Sequence, residues 1–419
     1  MPPSAQCPGR HARRVRSRVE PGNTVYVARR VPTESDMQLP AAGVARLSGV
    51  HPPGAKQSSA ALRATSPPRW REVAAPPAVA LAMLVAALIA TAAGDVRFRD
   101  PDNVAAGYFV LVASAAALLV CLDVAIKAAR MTGTRWPSRA SMREVRRARW
   151  TWQRMGAAGL ALLSFYVSYL AYRNLKGLLP ILRPGDLFDR QLASVDRALF
   201  GGHDPAALLH SLLGVGPIPT HLLAWLYAAF IVFLPLSLAV ALVFSPDLST
   251  SLFFATALSI NWLIGIASYF LLPSLGPAFA DPGAFAALPH SQVTNLQQML
   301  LDDRSGFLRN TDTGTPQAIA AFASLHIAMS FSAALVAQRL RLHRGLRIAL
   351  WAWLVLTAVT TIYHGWHYVV DDLAGLLIGL ISLAVARVLT DYDVRPARLA
   401  SAGERGARNR RSATSHRAG

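Results

Sequence analysis

Two short stretches carry residues that could do chemistry. Ile362 to Gly375 reads Ile-Tyr-His-Gly-Trp-His-Tyr-Val-Val-Asp-Asp-Leu-Ala-Gly. It lies where one apolar run ends and the next begins. Ionisable groups at a bilayer edge are costly and usually functional. His367 and Asp371 are four apart, so a helix would put both on one face. The carboxylate could then orient the imidazole and stabilise its charge. The second stretch, Ser324-Leu325-His326, opens the preceding apolar run. A histidine backed by an acid, with a second histidine nearby, suits attack on phosphorus with a separate general acid.

Each candidate has a plain structural alternative. His326 could be satisfied by a backbone carbonyl at a helix start, with Ser324 as an ordinary N-cap. A helix N-terminus is also an anion site, so Ser324 and the amides beside it could hold a phosphoryl group. His367 with Asp371 could be an ion pair anchoring the last span, with Asp372 a solvated or capping acid. His364, three before His367, reads as a supporting residue. Tyr363 beside it is a candidate substrate contact. His364, His367 and Asp371 could also make a His-His-carboxylate metal site. The histidine dyad explains the same residues without further ligands, so no metal or cofactor is expected.

The chain has 419 residues, 53% of them hydrophobic and 16% charged, which is a membrane composition. The net charge of +19 might suggest nucleic acid. The basic residues, however, gather in tails and short connections, the pattern of topology signals, so no nucleic-acid partner is expected. Cys7 and Cys121 offer neither a disulfide framework nor a zinc cluster.

Apolar runs at 75–93, 106–127, 155–172, 221–244, 251–272, 319–338, 348–364 and 370–389 predict an all-α polytopic membrane bundle of about eight transmembrane helices. The last two runs are expected to share a tight turn at Gly365. Residues 1–72 and 391–419 read as disordered basic tails, and Met37 is a possible alternative start. Residues 73–154 read as two spans and a basic loop, and 155–390 as the catalytic domain. Arginines of both tails and of the second and sixth connections all fall on one side if there are eight spans. The positive-inside rule makes that side cytoplasmic. Both reactive stretches then face the outer side. Asp186 to Phe200 reads there as an amphipathic helix that could border a lipid entrance. Arg173, Lys176 and Arg183 sit on this outer side against the charge bias. They are candidate phosphate binders, or partners of Asp186 and Asp189. The Ala- and Arg-rich composition points to a bacterial plasma membrane.

Ser324-x-His326 followed by His367-x-x-x-Asp371 resembles the type 2 phosphatidic acid phosphatase superfamily. Phe322-Ala-Ser-Leu-His326 and Gly365-Trp-His-Tyr-Val-Val-Asp371 are similar to motifs of its inositolphosphotransferase branch, which includes inositol phosphorylceramide synthase. The resemblance covers roughly residues 160–390. It implies that His367 is the nucleophile forming a phosphohistidine, Asp371 its orienting partner, and His326 the acid for the leaving alkoxide. It implies that Ser324 holds phosphoryl oxygens. Lys176, with Arg183-Pro184 after six intervening residues, has the spacing of the superfamily's first motif, though two spans earlier than usual. Tyr269 to Pro277 occupies the usual place. Where the third motif has Ser-Arg, this chain has Thr360-Thr361, so one phosphate clamp is missing. The implied substrate is a lipid phosphate, pyrophosphate or phospholipid, and the acceptor water or a polyol such as inositol. A transporter or flippase, hinted at by Asp123 and Asn261, and a basic-tailed scaffold are the other readings of the fold.

Overall fold

The structure is a computed structural model that describes residues 68–100, 103–185, 187–245, 247–311 and 319–392. Residues 1–67 and 393–419 of the basic tails, with Met37, Cys7 and Asp186, lie outside these; Trp70 to Glu72, expected in the disordered tail, are the first turn of a helix. Twenty to thirty consecutive apolar residues can satisfy their backbone in hydrocarbon only as helix, and the long apolar runs are helical. They are α1 (Trp70–Ala93), α2 (Val104–Thr132), α4 (Trp152–Gly177), α7 (Pro217–Phe244), α8 (Leu248–Leu271), α11 (Arg344–Tyr363) and α12 (Val369–Thr390). Among the described residues these seven are long and apolar enough to cross a membrane. Shorter helices join them: α3 (Arg139–Arg149), α5 (Asp189–Leu199), α6 (Pro205–Leu213) and α9 (Gln292–Arg309).

The sixth expected span, 319–338, is shorter as a helix than its apolar run. Helix α10 covers Leu325–Arg339, 15 residues, or about 22 Å against a hydrocarbon core of about 30 Å. Ile319 to Ser324 are not helical. Their polar backbone is tolerable because it is buried in protein: the amides of Ala321 and Phe322 donate to Ser274.

Helix α8 is the central post, buried along nearly its whole length. One core runs around it, from Val79 and Met83 of α1 through Phe165 of α4 to Ile378 and Leu383 of α12. The outer helices turn apolar side chains outward, as Val110, Leu111 and Leu118 of α2 do. Large apolar surface of this kind belongs to a lipid-facing exterior.

Close approach of small residues sets the packing at the core of the site. On α12, Gly375 faces the carbonyl of Ser324 and Gly379 faces the carbonyl of Ala328 on α10. Both pairs are four apart, so the two backbones touch over one turn, the small-xxx-small solution of membrane helices. A methyl on either glycine would run into backbone rather than a movable side chain. Gly375→Ala is therefore expected to force α12 off α10, lowering stability by roughly 1–3 kcal/mol. Activity should fall with it. Thermal melting in detergent and a lipid-phosphate turnover assay check this; a variant with unchanged melting contradicts the close approach.

Candidate active site

Helix starts and ends converge at one end of the bundle. Ser324 is the N-cap of α10, and its Oγ accepts from the Ile327 amide at 3.4 Å. Its own amide donates to the Asp371 carbonyl at 3.0 Å, which joins the first turns of α10 and α12. Helix α11 ends at Tyr363, and the chain turns through Gly365, whose φ of +69° suits glycine. Tyr368 then caps α12, with its amide donating to Asp371 Oδ2 at 2.9 Å.

This geometry brings the two histidines into contact. His326 Nδ1 lies 2.9 Å from His367 Nε2. His367 Nδ1 lies 3.4 Å from Asp371 Oδ2, close enough for charge but long for a hydrogen bond. A His367 proton placed on Nδ1 faces Asp371, leaving the Nε2 lone pair toward His326. Both His367 and Asp371 are buried, while His326 is partly open. The ring of Tyr227 lies flat on Trp366 and beside His326, and Phe230 closes the same side.

Burial holds the His367 imidazolium down to about 3, and the Lys176 charge acts the same way; the Ala321 carbonyl opposes them. His367 is thus a neutral imidazole at pH 7, the state a nucleophile needs. Lys176 Nζ stands over the rings of Tyr269 and Tyr172, 5.7 and 6.0 Å from their centres. It is the cation whose field reaches both histidines.

The other expected residues divide. Arg173 pairs with Asp100 at 3.3 Å. Arg183 donates to the Phe270 carbonyl at the end of α8. Tyr363 is fully buried, and its hydroxyl joins Thr220 and the Gly214 carbonyl, both at 2.9 Å. It ties α11 to the start of α7, which is a structural task. Asp372 is buried, not solvated. Thr361, at the position of the missing clamp arginine, donates to the Thr357 carbonyl of its own helix, and Thr360 to the Leu223 carbonyl. His364 closes α11, and burial, then His210, pushes it down to about 4. Among the described residues, no three of His, Cys, Asp and Glu are arranged to hold a metal ion.

Two aspartates of α5 belong to the site; the sequence offered Asp189 only as an ion-pair partner of the outer cations, and Asp196 was not singled out. Asp189 accepts from the amides of Leu275 and Gly276 and from the Tyr368 hydroxyl. It is therefore not a partner for the outer cations. Asp196 accepts from the amides of Val369 and Val370 at 2.7 and 2.9 Å, capping α12 from outside the helix. Their spacing of seven, two helical turns on one face, was the available signal.

Residues 190–385 match the family model of the PAP2 superfamily. The match includes Ser324, His326, His367 and Asp371, and begins after Lys176 and Arg183. It points to a lipid phosphatase or phosphotransferase type. No curated protein and no solved structure matches the chain.

Two outcomes are expected. The unfolded chain protonates its histidines near pH 6.5, while His364 and His367 stay neutral to about 4 and 3. Stability should therefore fall as pH drops below 6.5, by up to about 1.4 kcal/mol per pH unit and group. His364→Gln should shrink the drop in melting temperature between pH 6.5 and 4; parallel curves reject the assignment. Asp196→Ala leaves two buried amides uncapped and should cost about 1–2 kcal/mol. It should also lower kcat more than it raises KM, because it loosens the helix that carries Asp371. Steady-state kinetics beside melting curves measure both.

Proposed function

We propose that this protein is a membrane enzyme that removes a phosphoryl group from a lipid through a phosphohistidine at His367. The observation that carries this reading is the 2.9 Å contact between His367 Nε2 and His326, with Asp371 behind the nucleophile. The phosphoryl group enters between the two rings and replaces the His326 contact; the freed lone pair of Nε2 then attacks phosphorus, and the bond from phosphorus to the lipid oxygen breaks. Burial, then His367 and Lys176, hold His326 toward its neutral form in the free protein; the negative charge of a bound phosphate opposes them and favours the imidazolium, which gives its proton to the leaving oxygen. It then takes a proton from the acceptor hydroxyl, which attacks the phosphohistidine and frees His367. Lys176 and the first-turn amides of α10 beside Ser324 offset the charge on the phosphoryl oxygens.

Water as acceptor makes a phosphatase, and a polyol such as inositol makes a transferase. The inositolphosphotransferase reading rests on the Ser-Leu-His and His-Tyr-x-x-Asp motifs. Threonines in place of the usual Ser-Arg remove one phosphate clamp and favour a reaction other than simple phosphomonoester hydrolysis. Counting residues 319–339, the non-helical stretch together with α10, as the eighth crossing makes both termini cytoplasmic, and the histidines then face the outer side of the membrane.

Transport is the weaker reading. Asp123 is bound by Arg149, Trp150 and Lys127 at the opposite end of the bundle. Asn261 donates to Ser332. Both residues that hinted at a polar pathway thus hold helices together.

His367→Ala is expected to lower turnover about a thousandfold or more. His326→Ala should be as damaging with a lipid alkoxide leaving group, and much less so with an aryl phosphate, whose leaving oxygen needs no proton. Turnover should persist in EDTA. The assay uses purified protein, a panel of lipid phosphates with and without inositol, and product identification by mass spectrometry. Full activity of His367→Ala sinks the mechanism.

A further inference from the structure

An apolar slot of about 170 Å³ runs between α2, α4, α7 and α8 and ends on His326. Tyr108 and Phe109 of α2 line it on one side, and Tyr166 and Tyr169 of α4 on another. Trp262 of α8 closes its back. Helices α2 and α4 precede the matched residues 190–385, so two walls of the slot are additions to the matched region.

A row of packed rings links the wall of the slot to Lys176. Tyr169 packs on Trp262 at 5.5 Å, Trp262 on Tyr172 at 4.3 Å, and Tyr172 lies under Lys176. The slot thus reaches His326, with His367 2.9 Å beyond it and Lys176 behind the ring of Tyr172. That polarity fits an amphiphile with a slender hydrocarbon chain and an anionic head. The walls α2 and α4 are both long enough to span, so the slot lies at the depth of the bilayer's hydrocarbon. His326 at its inner end is also the group assigned to protonate the leaving oxygen.

We propose that this slot holds the hydrocarbon chain of the leaving lipid alcohol, and that α2 and α4 select which chain is accepted. The inference rests on the phosphoryl-transfer reading above and adds to it the leaving-group subsite and its specificity. The chain stays in the slot while its oxygen takes the proton from His326; the acceptor must then enter from the aqueous end of the bundle.

Two measurements test this. A long-chain lipid phosphate with a diazirine in its first few carbons is irradiated with the full-length protein. The label is expected on peptides of α2 and α4, competed by unlabelled lipid phosphate and not by ordinary phospholipid. Label absent from both α2 and α4, or equal competition by bulk phospholipid, overturns the proposal. This readout needs no turnover, so an inactive protein would count against the enzymatic reading alone. The second measurement compares kcat/KM for a long-chain lipid phosphate with that for a soluble aryl phosphate. Ala113→Phe, which narrows the slot from α2, should lower the ratio about tenfold. Tyr166→Ala, which widens it from α4, should shift the preference toward bulkier chains. A ratio that neither substitution moves overturns the proposal.

Discussion

The site depends on two helix N-termini meeting. The amide of Ser324 donates to the carbonyl of Asp371, and the two glycines of α12 let the backbones come that close. Everything chemical hangs on this junction. It sets the height of His326 on α10 relative to Asp371 on α12. The turn at Gly365 then places His367 between them. A bulkier residue at Gly375 would separate the helices and the histidines together.

Such a junction needs bracing, because the first turns of helices leave amides unpaired. Much of the bracing comes from α5. Asp196 takes up two first-turn amides of α12, and Asp189 takes up two amides of the loop after α8 and the Tyr368 hydroxyl. These carboxylates are costly to bury, and the several amide bonds they accept offset the cost. The same helix thus clamps two of the segments that surround the histidines. At the far end, Arg149 and Arg154 donate to carbonyls at the end of α7, and Arg149 pairs with Asp123. Polar groups at the two ends of the bundle therefore do different work.

The walls around the histidines are aromatic, with few charges. Low polarity keeps His367 neutral and lets the single Lys176 charge act over a distance. It also suits a substrate that is mostly hydrocarbon. The slot walls from α2 and α4 make the N-terminal helices part of that environment.

The sequence by itself determined the helix-bundle class, because runs near 20 apolar residues have no other stable form in lipid. It also marked Ser324, His326, His367 and Asp371 by residue type and short spacing, although His367 sits in the turn before α12 and not on the helix face that the spacing of four suggested. Only the tertiary structure decided what meets what. Helix α10 is cut short because the backbone before it finds partners on Ser274. Tyr363 became a strut because Thr220 and Gly214 lie opposite its hydroxyl. Asp189 and Asp196 gained their place because α5 folds back over a loop 86 residues away and a helix start 173 residues away in the chain. Hydropathy and local spacing carry no information about such distant pairings; they follow from which surfaces fit once the helices pack.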